Sequence, residues 1–208
     1  MSNSTTLRTG LFGALATLFL AIAPAAQASS PNVVIEEAVT LLASQLDGRK
    51  EALAEDRSAL YSIIDEILLP RFDRQLAAQL VLAKHWRTAS PEQQERFIDA
   101  FYNNLLHRYA DGVLEFDEDK IEVLTYRGDD TKRRTQVKTI VQLADGTKVP
   151  VNYDLVRRGE EWKMFNVTIE GVSYIRNFRA EVDSEIRSSS LNAVIERLES
   201  ETGTAPSE

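Results

Sequence analysis

Along the first half of the chain apolar residues recur at spacings of three and four; from residue 121 onward they recur at spacings of two. Pro31 and Asn32 open a pattern in which Val34, Ala38, Leu41, Leu42 and Leu46 share one face, which predicts an amphipathic helix ending near Asp47 and Gly48. Leu60, Ile63, Ile64, Ile67 and Leu68 predict a second helix that stops at Pro70, and Asp73 is placed to cap a third running to about Trp86. The next helix has the clearest start: Ser90 caps it, Pro91 takes the first helical position and Gln93 completes a capping box. On that helix Phe97, Phe101, Leu105 and Tyr109 fall four residues apart and make an aromatic stripe.

The change of period marks a change of structure. Ile121, Val123 and Thr125 alternate with polar residues, as do Thr135, Val137, Thr139, Val141 and Leu143 after a polar loop at Gly128. Asp145-Gly146 and then Gly159 make the turns into Val149–Leu155 and Trp162–Ile169. Four consecutive strands joined by short turns predict an antiparallel meander with one apolar face. A helix from Ser173 carries Ile175, Phe178, Val182 and Ile186, and after Ser188–Ser190 a last one carries Leu191, Val194, Ile195 and Leu198. The tail from Glu201 reads as disordered. Helices, then a sheet, then helices is an α+β order, and a twisted four-stranded sheet closed by helices makes a cone around either a core or a pocket.

The N-terminus changes this picture by removing itself. Arg8, the apolar run Leu11–Ala23 and the triplet Ala26-Gln27-Ala28 have the layout of a signal peptide, with cleavage expected after Ala28. Loss of residues 1–28 leaves 180 of the 208 residues, read as one domain at 29–200 that buries roughly 70% of its unfolded surface. Without Arg8 there remain 23 basic and 32 acidic side chains, a formal charge of −9, which argues against nucleic acid as a partner and against stable insertion or adsorption on an anionic membrane. No cysteine is present, so neither a disulfide framework nor a thiol nucleophile is available, as suits an exported chain.

Candidate chemistry is sparse. His85 and His107 sit in helical patterns with no serine or carboxylate placed to work with them. The run Glu115–Asp119 lacks the spaced ligands and central glycine of a calcium loop, so no metal site is expected there. Asp154 shares a strand face with Asn152 and Arg158, opposite Val151, Tyr153 and Leu155, and is expected to face water; a cone-fold isomerase or hydrolase would need it, or a histidine, inside. Ser173 reads as a helix cap, since no base can be assigned to it. Arg176 and Arg179, three residues apart, are suited to a phosphate head group, a protein partner or water. The apolar face of the meander and the aromatic stripe nominate Phe97, Phe101, Leu105, Val137, Val141, Val151, Tyr153, Leu155, Phe165, Val167, Tyr174 and Phe178 as the lining of any cavity.

Three blocks together are more specific than any one motif: ILLPRFD at 67–73, VLAKHWRTASPEQQERFIDAFYNNLLHRYA at 81–110 and EWKMFNVTIEGVSYIRNFRAEV at 161–182. In that order they resemble the MlaC family, also called toluene-tolerance auxiliary proteins. The resemblance implies a periplasmic phospholipid carrier with no catalytic residues, metal or cofactor, taking phospholipid as cargo. It implies a cone similar to the nuclear-transport-factor-like class, with acyl chains inside and the head group near the mouth. It implies partners too: an inner-membrane ABC transporter complex and an outer-membrane lipoprotein complex. Two positions depart from the family pattern, Asn166 where aspartate is usual and Ala83 where glycine is typical.

Overall fold

The computed structural model describes residues 30–203 except 116, 130 and 144, so the signal-peptide expectation lies outside the described residues. Helix α1 (Pro31–Leu46) is followed by a short α2 (Lys50–Glu55), α3 (Arg57–Leu68), α4 (Arg74–Leu82) and the long α5 (Pro91–Leu114). Strands β1 (Ile121–Val123), β2 (Arg134–Gln142), β3 (Lys148–Arg158), β4 (Glu161–Ile169) and β5 (Val172–Ser173) form one sheet in sequence order, every neighbour antiparallel. Helices α6 (Tyr174–Ser188) and α7 (Leu191–Thr202) close the chain. The fold is α+β.

Three details depart from the sequence expectation, each for a local reason. The sheet has five strands, because two residues after the Gly171 turn pair with Thr168 and Ile169 before Ser173 caps α6. Helix α2 went unpredicted because Leu53 is its one buried residue, too little to make a periodic stripe. Helix α7 runs through Thr202, past the expected start of the tail, because Glu201 accepts hydrogen bonds from Asn104 on α5 and Arg197 on α7.

Caps behave as the sequence reads. Ser90 and Gln93 form the reciprocal capping box, and Asp73 accepts from the Leu76 amide 2.9 Å away. The third helix, however, stops at Leu82 and not near Trp86. There Ala83 takes φ 48° and ψ −111°, outside the basins open to an L-residue at low cost, and a 3-10 turn carries the chain to Arg87. The tight turn is thus kept with an alanine in the glycine conformation. Replacing Ala83, which is exposed, by glycine is expected to relieve strain of about 1 kcal/mol and raise the Tm by roughly 2–4 °C. An unchanged or lower midpoint in calorimetry would show that the turn stores no strain.

Apolar packing divides the molecule into zones. Ala77, Val81 and Leu82 of α4, Phe97 and Phe101 of α5, Phe178 and Val182 of α6 and Val194, Ile195 and Leu198 of α7 make an all-helical core. It is tied at its surface by the bidentate pair of Arg96 and buried Glu199, with Nε–Oε1 3.0 Å and Nη2–Oε2 2.7 Å. A second zone joins α1, α2, α3 and the C-terminal half of α5 through Leu42, Leu46, Leu53, Leu60, Ile64 and Ala110. In a third, Val34 and Ile35 of α1 lie against Val137, Leu155, Trp162 and Met164 of the sheet.

The pairing of β3 and β4 contains one irregularity. Leu155 pairs with Met164 but Asp154 with Asn166, so Phe165 is an extra residue bulged out of the ladder. A bulge bends its strand and increases the local twist. It also shifts the side-chain phase, so Trp162 and Met164 share the α1-facing side with Val167 and Ile169 although Val167 stands three positions after Met164.

Candidate functional site: an apolar cavity charged at one end

Between α1, α3, α5, the N-terminal turn of α6 and the sheet lies a cavity of about 840 Å³. Helix α1 contributes Ile35, Ala38, Val39 and Leu42, one stripe at helical spacing. Helix α5 contributes Phe101, Leu105, Tyr109 and Val113 from its four-residue stripe, widened by Tyr102 and Leu106. The sheet adds Val141, Val149, Val151, Tyr153, Val167 and Ile169, and α6 adds Tyr174, Ile175 and Phe178.

Nine of the twelve residues nominated from the sequence border this cavity: Phe101, Leu105, Val141, Val151, Tyr153, Phe165, Val167, Tyr174 and Phe178. Phe97, Val137 and Leu155 do not. Phe97 lies one turn before Phe101, stacked on it at 5.7 Å, and faces the α4–α7 core. Val137 and Leu155 have the right strand parity but sit further along the sheet, where Val34 and Ile35 of α1 pack directly on them and on Trp162. Parity fixes a face; where along that face the helices lift away is a property of the tertiary fold. For the same reason the sequence reading missed α1, α3 and Phe72 as walls, although the α1 stripe was itself legible.

The two arginines stand elsewhere. Arg179 donates from Nε to the Leu80 carbonyl at 2.7 Å, satisfying an open acceptor in the last turn of α4 where a cation is favoured by the helix dipole. Arg176 is exposed beside the Gly171 carbonyl. Neither borders the cavity, because the apolar face of α6 bearing Phe178 is turned inward and the arginines take the other sides.

Among the described residues the deep wall carries no charged side chain. Tyr153 has its pKa raised by burial, offset in part by a hydrogen bond with Thr139. Burial also raises Tyr109, aided by Tyr174, whose ring meets it edge-on at 5.2 Å. Burial and then the Asp65 carboxylate, 2.6 Å from its hydroxyl, push Tyr102 well above the usual phenol range. All three hydroxyls therefore stay neutral at physiological pH. Charged residues bordering the cavity are Glu115, Asp117 and Lys120, all between the end of α5 and the start of β1. That segment, with Gln142 and the half-exposed Leu143 at the β2–β3 hairpin, forms the mouth.

Neither of the groups a cone-fold enzyme would need lines the cavity. Asp154 lies on the opposite sheet face, accepting from Gln136 at 2.8 Å and Asn166 at 2.7 Å. His107 stacks on Tyr61 at 4.2 Å. The amide at position 166 explains its place: its nitrogen donates to Asp154 while its oxygen accepts from the Ser173 hydroxyl and the Ile175 amide, pinning the strand-to-helix corner. An aspartate there could not donate to Asp154. The Ser173 oxygen in turn accepts from the Arg176 amide, so this hydroxyl is a cap.

Helices and a bulged antiparallel sheet make an α+β fold around an apolar cavity whose charged border, among the described residues, is confined to its mouth. The sequence places it further: the profile of the MlaC protein family matches residues 36–200, and the chain belongs to that family. It is 33% identical over 174 residues to toluene tolerance protein ttg2D of Pseudomonas putida, covering 83% of this chain and 79% of that one. It is 24% identical over 164 residues to the intermembrane phospholipid transport system binding protein MlaC of Haemophilus influenzae, covering 77% of each. A phospholipid-binding protein from Ralstonia solanacearum, solved in complex with a phospholipid, shares the fold with a TM-score of 0.75 at 17% identity, over 84% of this chain and 98% of that one.

Proposed function

We propose that this chain is a periplasmic phospholipid carrier that encloses acyl chains in its cavity and moves them between an inner-membrane ABC transporter complex and an outer-membrane lipoprotein complex. The observation that carries this reading is the cavity: large, apolar to its depth and charged only at the mouth. Family membership and the names of the relatives support it, and no helix among the described residues is long and apolar enough to cross a membrane. The nine residues that border the cavity are the proposed acyl contacts.

Size and energy agree with such a cargo. At roughly 30 Å³ per methylene, about the liquid volume of a water molecule, 840 Å³ holds on the order of 28 methylenes. That corresponds to the two chains of one diacyl lipid. Each buried methylene is worth about 0.8 kcal/mol, so a chain of ~16 carbons gains on the order of 12 kcal/mol over water. A carrier must supply a comparable gain inside itself, and release then requires a partner that opens the cavity or competes for the lipid. No catalytic step is part of this reading; among the described residues, the charged side chains bordering the cavity lie at its mouth.

Protein purified under non-denaturing conditions is expected to carry one phospholipid per chain, seen by native mass spectrometry and by solvent extraction. After delipidation it should take up lipid from vesicles. Recovery of no phospholipid, together with no uptake, would overturn the proposal.

A further inference from the structure

A cavity that holds acyl chains leaves the head group at its mouth, and the mouth of this one has a definite charge pattern. Lys120 Nζ is 3.0 Å from Asp117 Oδ2, with both side chains about two-fifths exposed at 43% and 40%. Exposed ion pairs of this kind are weak and exchange readily. Ile121 pairs with Val141, so in the antiparallel ladder Lys120 and Gln142 stand opposite each other at the same end. Both border the cavity, and the Gln142 amide has no partner among the described residues. Glu115 borders it too, exposed, with neither a hydrogen bond nor an ion pair among the described residues.

We infer that this mouth selects zwitterionic, ammonium-bearing phospholipids over anionic ones: Lys120 and the Gln142 amide receive the phosphate, and Glu115 receives the ammonium. The inference rests on the carrier reading above and specifies its cargo. An ammonium and a phosphate on one short head group match an anion and a cation on one short rim. An anionic head group lacking the ammonium leaves Glu115 unpaired and adds negative charge beside two carboxylates. The formal charge of −8 over the whole chain acts in the same direction, though across a Debye length of about 8 Å in physiological salt the local contact dominates.

The test separates amount from kind. Delipidated protein is equilibrated with vesicles of equal phosphatidylethanolamine and phosphatidylglycerol, recovered, and its lipid quantified by mass spectrometry. The wild type is expected to hold phosphatidylethanolamine in excess of the vesicle ratio by about twofold to fivefold, the range exposed ion pairs give. Glu115→Gln should bring the ratio close to that of the vesicles and Glu115→Lys should invert it. Asp119→Asn makes the same change in net charge at a residue that does not border the cavity, and should leave the preference intact. A wild-type ratio equal to that of the vesicles, or equal shifts from Glu115→Gln and Asp119→Asn, would overturn head-group selection while leaving the carrier reading standing. Absence of bound lipid in every protein would overturn the carrier reading and this inference with it.

Discussion

Val151→Glu is expected to reduce phospholipid retention by at least 100-fold while the protein remains folded. Val151 is 7% exposed and borders the cavity at the fourth residue of β3, paired with Thr139 on one side and Ile169 on the other. A carboxylate there has no cation in reach, since the charged residues bordering the cavity lie at its mouth. Enclosing an unpaired carboxylate against acyl chains costs several kcal/mol, and each 1.4 kcal/mol is a factor of ten in affinity. The fold survives because an empty cavity admits water to hydrate the new group. Val141→Glu, next to Gln142 at the rim, should cost much less, because its longer side chain can reach solvent. Retention that is equal to wild type in a folded Val151→Glu protein, measured by extraction alongside circular dichroism, would reject the assigned wall.

Phe97→Ala should do the reverse, lowering stability by about 3–5 kcal/mol and leaving the lipid content of the folded fraction unchanged. Phe97 is fully buried at 0% exposure, stacked on Phe101, and part of the α4–α7 core behind the cavity. Truncation leaves a void there with no route for a ligand to fill it. Denaturant unfolding with the m-value held gives the stability loss, and lipid per folded chain gives the second half. A Phe97→Ala protein of wild-type stability that had lost its lipid would move this residue to the cavity wall.

The contrast between those two positions shows what the chain makes legible. Hydrophobic period separated helices from strands, and Ser90, Asp73 and Ser173 marked helix starts that the caps bear out. Strand parity put Val141, Val151 and Tyr153 on the face that borders the cavity and Asp154 on the other. Parity and period are local properties, however, and a cavity is an absence of contact between elements distant in sequence. Phe97 and Phe101 lie only about 40° apart on a helical wheel, and both belong to the same core, yet Phe101 alone of the two also borders the cavity. Arg179 shows the same limit: its reach to the Leu80 carbonyl depends on α6 lying beside α4. The mouth residues were visible only as an acidic run, because nothing local says that Lys120 stands across from Gln142.

The bulge at Phe165 bears on how such a vessel acquires its volume. Removing that one residue would leave Met164, Asn166, Val167 and Ile169 in plain alternation, with Met164, Val167 and Ile169 still inward, and would take the Phe165 ring out of the wall. The bend would be lost with it, since a regular ladder is flatter than a bulged one. Capacity and composition of the wall are therefore coupled at this one position, while Met164, Val167 and Ile169 keep their places. A lineage can reshape the container by gaining or losing a single codon in β4, changing one aromatic contact and leaving the other strand residues of the wall in place.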